Sequence, residues 1–283
     1  MPEFAPIDEN QENSYQDVLK EIDVLLTEEN LEQQSKAIEQ YTNQRLAELT
    51  SVVKPVNISI QENPFYKGFI HPESKIKRSF IVDPFQLDDQ EIYSHLIKNI
   101  GEIKASPGWN EKTTRVIIPT AVLYTVAKYF GNFVGYQDTD AKNREFYMDK
   151  TTTESDSVSI KELEGKGIAV CAEKAALSQN LLSFMGIDST LVFSDKCQFD
   201  GEKEGLHAFN IVHTENGFFI FDPTNPEQHR DAEGKLANYL PNFYPISNEQ
   251  YQSLQESGTV EVQHKDYETV DGVSKAVDSK RIY

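Results

Sequence analysis

From Gly165 to Pro226 the residue pattern passes from helical to strand character, and this order constrains the fold more than any other feature of the chain. Ala172 to Met185 is rich in helix formers, with Leu177, Leu181 and Met185 along one stripe and Ala175 and Leu182 beside it. Gly186 follows, where a left-handed residue ends many helices. Thr190-Leu191-Val192-Phe193 then reads as a buried strand. His207 to His213 and Phe218 to Asp222 read as two more strands, joined as a hairpin around Asn216-Gly217.

The same order places chemistry. Cys171 falls at the helix N-terminus, where free N–H groups and the helix dipole stabilise a thiolate. A hairpin loop of two or four residues pairs odd-numbered residues of the first strand with even-numbered residues of the second. His207, Phe209 and Ile211 then share a face with Asp222 and Thr224. An imidazole and a carboxylate on neighbouring strands, facing the same way, suit orientation of the ring and stabilisation of its cation. Each residue also has an ordinary reading: Cys171 as a small buried hydrophobe, His207 as a strand residue with a satisfied ring, Asp222-Pro223 as a turn signal. Taken together, order and spacing allow a Cys-His-Asp triad.

These residues also resemble a known family. Gly165-x-Gly167-x-x-x-Cys171-x-x-x-Ala175, Gly186-Ile187 before a strand, His207-Ala208-Phe209-Asn210-Ile211-Val212 and Phe221-Asp222-Pro223-Thr224 are similar to the transglutaminase-like cysteine enzymes. The resemblance covers roughly residues 160 to 226, and more loosely reaches back to Asp88. It implies a papain-like α+β core, with the nucleophile on a helix against an antiparallel sheet. Carried over by position, it makes Cys171 the nucleophile, His207 the general base and acid, and Asp222 the group that orients His207. The family completes its oxyanion hole with an upstream side chain, for which Gln137, Tyr136 and Trp109 are the candidates. The chain departs from many members at Ala208-Phe209, where an aromatic residue often follows the histidine directly.

The implied activity is cysteine-dependent acyl transfer on amide bonds of proteins or peptides through a thioester. Hydrolysis (protease, amidase or deamidase) is expected ahead of cross-linking, because many bacterial relatives of this domain are thought to be hydrolases. A protein-glutamine transglutaminase is the alternative, and a non-catalytic peptide-binding module on the same scaffold is the alternative from another class. Peptide N-glycanases share the triad but usually bring paired cysteines for zinc. Arylamine acetyltransferases place their cysteine nearer the N-terminus.

Composition narrows the partners. The net charge of -19 opposes contact with phosphate backbones or anionic lipid, so neither nucleic acid nor a membrane is an expected partner. It favours a basic or amine-bearing protein or peptide substrate. Two cysteines, Cys171 and Cys197, make no disulfide scaffold and no C-x-x-C pair. The six histidines show no H-x-x-x-H spacing, so no metal and no cofactor is expected. There is neither a G-x-S-x-G elbow nor a phosphate loop. The N-terminal residues carry no basic and apolar signal pattern, so the expected location is cytoplasmic, with export by a route lacking a conventional signal peptide as the alternative.

Three regions are expected: an acidic helical N-terminal extension over 1–55, a catalytic domain over 56–245, and a C-terminal extension and tail over 246–283. The first 50 residues hold 12 acidic and 3 basic side chains. Tyr15, Val18, Leu19, Ile22, Leu25 and Leu26 fall at helical spacing there, and a second helix is expected from about Asn30 to Val52. Its acidic outer face reads as solvated, with a docking surface for a basic partner as the alternative. Edge strands and loops are expected from Val56 to Pro84, and a helix from Asp88 to Ile103. Val116 to Gly135 is long enough for a membrane span, but Pro119, Lys128 and Asn132 favour a core helix starting near Pro119. Asp138 to Lys161 reads as polar loop, and its Asp138-x-Asp140 start fails as a calcium loop because Lys142 and Asn143 occupy the ligand and glycine positions. Strands are expected over Tyr239 to Tyr244 and Thr259 to Val270, with Lys280 to Tyr283 as a frayed end.

Overall fold

A computed structural model of the chain describes residues 9–27, 30–50, 56–57, 68–70, 80–82, 91–106, 114–133, 138–151, 158–199, 205–214, 217–230, 236–270 and 273–283. Helices α1 (Glu9–Leu26) and α2 (Leu31–Thr50) come first, then short strands β1 (Val56–Asn57), β2 (Gly68–Ile70) and β3 (Phe80–Val82). Helices α3 (Glu91–Ala105), α4 (Thr114–Phe130) and α5 (Thr139–Thr151) lead to strand β4 (Val158–Ser159) and a 3-10 turn over Ile160–Leu163. Helix α6 (Cys171–Phe184) precedes β5 (Ser189–Cys197), β6 (Gly205–Thr214), β7 (Gly217–Arg230) and β8 (Leu236–Ile246). Helix α7 (Asn248–Ser257) and the hairpin β9 (Glu261–Val270) with β10 (Val273–Ile282) complete the order.

The main sheet has the order β2-β5-β6-β7-β8. Strands β5 to β8 run antiparallel, and β2 joins the β5 edge in parallel, so the fold is α+β. Thr214 pairs with Gly217 and Asn210 with Phe221, which gives the odd-to-even parity that a two-residue loop dictates. Gly217 already belongs to β7, while Asn216 lies outside the described residues.

That parity divides the sheet into two apolar faces. Leu191, Phe193, Ala208, Val212 and Phe221 join a core made with α1, α2, α3, α4 and α6. Val192, Phe209, Ile211 and Ile220 join a second core with Leu254 of α7, Val260, Val262 and Tyr283. Helix α6 lies inside the first core and is buried around its whole circumference from Glu173 to Leu182, beyond the single stripe that its sequence suggests. Each fully buried leucine there contributes about 2 kcal/mol relative to exposure. Its inward polar groups are matched: Tyr93 donates to Asn180 at 2.8 Å, Gln179 to the Ser189 carbonyl at 2.8 Å, and Asn210 to the Ala175 carbonyl at 3.1 Å.

Several expectations need adjusting. The acidic N-terminal helices form, and Val18, Leu19, Ile22, Ile38 and Leu46 belong to the main core. Helix α4 begins at Thr114, not near Pro119. Burial of Ile117, Ile118, Ala121 and Val122 outweighs the one backbone hydrogen bond that Pro119 forfeits. Within Asp138 to Lys161 the described residues Thr139–Thr151 form a helix, not loop. Helix α5 carries the ion pairs Lys142–Asp138 and Arg144–Asp140 on its outer face and buries Asn143 and Tyr147. The chain does not fray at Lys280 to Tyr283. Ile282 exchanges backbone hydrogen bonds with Gln198 at 2.8 and 2.9 Å, and Tyr283 is fully buried. Among the described residues, no helix is long and apolar enough to cross a membrane.

Candidate active site

Local chemistry fixes both ends of α6. At the C-terminus Gly186 adopts φ 72°, its N–H bonding the Ser183 carbonyl while Ile187 N–H bonds that of Leu182. This double closure requires a left-handed residue and stops the helix where the sequence indicates. Upstream, Gly165 and Gly167 have φ of 64° and 68°, which bends the loop onto the end of α4. Their N–H groups bond the Tyr129 and Phe130 carbonyls at 2.8 and 2.7 Å. The residues from Gly167 to Val170 are thereby aimed into the first turn of α6, whose first residue is Cys171.

Glu173 secures that turn. Its Oε2 accepts the Val170 N–H at 3.0 Å, and its Oε1 accepts from Asn143 at 3.2 Å. The Asn143 amide also bonds the Ile168 carbonyl at 3.0 Å. Asn143, which fails as part of a calcium loop, thus braces the segment that presents Cys171.

His207 and Asp222 meet as the hairpin parity requires. His207 Nε2 donates to Asp222 Oδ2 at 2.9 Å, which leaves Nδ1 as the ring's other working nitrogen. Asp222 is fully buried, and His207 is 6% exposed. The remaining Asp222 oxygen, Oδ1, accepts the Thr224 N–H at 2.9 Å. Phe199 meets the imidazole edge-on with centroids 4.9 Å apart, and Phe209 stacks at 6.3 Å, so aromatic rings cover part of the imidazole. His207 stands near the start of β6, where the N-terminus of α6 brings Cys171 close enough for its sulfur to bear on the electrostatics of the ring.

The electrostatics follow from this packing. Burial alone would push the His207 pKa down, but the Asp222 charge and hydrogen bond, then the Cys171 sulfur, outweigh it and hold the imidazolium up to about 10. Burial would raise Asp222, yet His207, the Thr224 N–H and the Tyr283 hydroxyl hold it below the usual carboxylate range. Burial pushes the Cys197 thiol up to about 12, so this second cysteine stays protonated and unreactive at neutral pH.

Two groups near the site escaped the sequence reading. Lys174 is 1% exposed, donates to the Phe133 carbonyl at 3.1 Å, and is pushed down to about 8 by burial against the opposing charges of Asp222, Cys171 and Glu173. Its position three residues after Cys171 was a visible signal, since a lysine one helical turn from a thiol lies on the same side. The Tyr283 hydroxyl donates to Asp222 Oδ2 at 3.2 Å, and nothing local in the sequence foretells it.

Of the expected site residues, the structure brings together Cys171, His207 and Asp222. Trp109, Tyr136 and Gln137 lie outside the described residues. Among the described residues no cluster of histidine, cysteine, aspartate or glutamate could hold a metal ion. No protein-family model and no curated relative matches the chain.

Proposed function

We propose that the chain is a cysteine-dependent acyl-transfer enzyme acting on amide bonds of proteins or peptides, hydrolytic in preference to cross-linking, on a papain-like, transglutaminase-like core. The observation that carries this reading is the convergence of Cys171, at a helix N-terminus, with the buried His207–Asp222 pair. The order of helix, strand and hairpin supports the assignment of the core.

In this mechanism the Cys171 sulfur attacks the amide carbonyl carbon, and the carbonyl electron pair moves onto oxygen. The Cys171 N–H, in the first turn of α6, is one donor to that oxygen. Collapse breaks the C–N bond, and the leaving amine takes its proton from the His207 imidazolium, leaving a thioester. Neutral His207 then takes a proton from water as the water oxygen attacks. The C–S bond breaks, the carboxylic acid departs, and the thiolate and imidazolium are restored. Asp222 holds the ring through Nε2–H throughout, so that Nδ1 faces the reacting atoms. The acidic surface favours substrates with basic or amine-bearing segments, an attraction that salt weakens.

The test is alkylation of each cysteine by iodoacetamide, read by peptide mass spectrometry across pH 5 to 9, with Cys197 as internal control. At pH 6 Cys171 should react at least roughly 10²-fold faster than Cys197, and His207→Ala should remove most of that advantage. Equal, slow reaction of both cysteines in the wild-type protein overturns the reading. A glutamine peptide incubated with a primary amine then separates the two outcomes, released ammonia with a free acid marking hydrolysis and a new amide marking transfer.

A further inference from the structure

Asp222 Oδ2 is a shared acceptor, taking both the His207 Nε2–H at 2.9 Å and the Tyr283 hydroxyl at 3.2 Å. Tyr283 follows β10 and lies outside the helix and strands that supply the triad. Its backbone exchanges hydrogen bonds with Val260 at 2.6 and 2.9 Å, and its ring packs on Phe199 and Phe209 with centroids 5.1 Å away in each case. Burial, with the nearby Asp222 charge and Tyr244, keeps the hydroxyl pKa well above 10, so the group remains a neutral donor.

We propose that Tyr283 is a positioning residue of the site, acting through Asp222: its hydroxyl takes up part of the Asp222 carboxylate's charge and so tempers the hold of that carboxylate on His207. This inference rests on the triad reading above, and it makes the β9–β10 hairpin a determinant of how tightly the imidazolium is held. The other titratable groups facing this chain of hydrogen bonds are Cys171 and Lys174 from α6, Cys197 from β5, Tyr244 from β8, Arg281 from β10 and, through Tyr244, His264 from β9. All of them remain when the hydroxyl alone is removed.

Positioning by a hydrogen bond and mere packing differ in sign. Without the hydroxyl, more of the Asp222 charge falls on the imidazole, so the ring keeps its proton to higher pH. A loosened core misplaces the carboxylate and releases the proton at lower pH. The experiment is a proton NMR titration of His207 from pH 5 to 11 in the wild-type, Tyr283→Phe and Val262→Ala proteins, with His207→Gln identifying the resonance. Val262→Ala trims the same core and leaves the hydroxyl in place. The His207 midpoint in Tyr283→Phe should rise by about half a pH unit, while Val262→Ala leaves it in place or lowers it. A midpoint that is unchanged or lowered in Tyr283→Phe overturns the inference, as does failure of that protein to fold. Cys171 alkylation measured on the same samples separates the two readings. Slow alkylation in the wild-type protein sinks the triad, whereas fast alkylation with an unmoved His207 in Tyr283→Phe sinks the role of Tyr283 alone.

Discussion

Asn143 donates to Glu173 Oε1 at 3.2 Å, joining the middle of α5 to the first turn of the helix that Cys171 begins. Glu173 is fully buried, and its other oxygen holds the Val170 N–H. Glu173→Ala should therefore cost about 2 kcal/mol in urea unfolding, and it should slow Cys171 alkylation because the first turn loses its closure. Unchanged stability would mean that the glycine loop alone sets the start of α6.

Arg45 of α2 provides a contrast at the opposite end. Its Nε and Nη2 donate to the Phe184 carbonyl at 3.1 and 3.0 Å. Arg45→Met should lower stability by about 1–2 kcal/mol, measured by urea unfolding, and leave the alkylation rate of Cys171 within about twofold. A large loss of thiol reactivity would show that α6 moves as one rigid body when either end is released.

His207 carries a pH signature in stability. Its pKa in the fold is raised from 6.5 to about 10, so its stabilising contribution is complete below about pH 6.5 and is lost as pH rises through 10. The stability difference between wild type and His207→Gln should be greatest near pH 6 and shrink toward pH 10. Urea unfolding at pH 6, 8 and 10 checks this, and a difference that grows with pH contradicts it.

Lys174 has the opposite sign. Its pKa falls from 10.5 to about 8, so the folded protein bears a penalty that is complete below pH 8 and fades toward pH 10.5. Lys174→Met should gain its largest stability advantage at pH 6 to 7 and little at pH 10. The same variant should alkylate Cys171 more slowly near neutral pH, because a positive charge beside the sulfur is gone. Faster alkylation would count against a role for Lys174 in holding negative charge at the site.

The triad residues should grade by role. Asp222→Asn should slow Cys171 alkylation at pH 6 by roughly 10-fold to 100-fold, less than His207→Ala, because Asp222 acts through the ring. Cys197→Ala should leave it within about twofold. Equal effects of Asp222→Asn and Cys197→Ala would remove Asp222 from the mechanism.

The Cys171–His207–Asp222 group was legible because local rules determine it. Gly186 ends the helix, and the loop length between Thr214 and Gly217 sets which strand residues share a face. Helix α5 was hidden by its Asp, Asn and Thr content, although Asp138 with Lys142 and Asp140 with Arg144 sit at the spacing of helical ion pairs. Tyr283 was not legible, since its place depends on β10 returning across the sheet to pair at Gln198. Such long-range registration leaves no trace in the hydropathy of Val273 to Ile282. Pro119 misled for a simpler reason: a proline marks a helix start only when burial does not hold an earlier turn in place.

The sheet carries a separate core on each face, and the two faces supply different parts of the candidate site. Cys171 arrives with the helical layer, while His207 and Asp222 lie on the face shared with Phe209, Ile220 and Tyr283. A partly unfolded form that keeps only one layer retains either a sulfur without its imidazole or an imidazole–carboxylate pair without its sulfur. On the proposed reading, activation of the thiol thus depends on both layers at once, and an incompletely folded chain would hold its sulfur in an unactivated state.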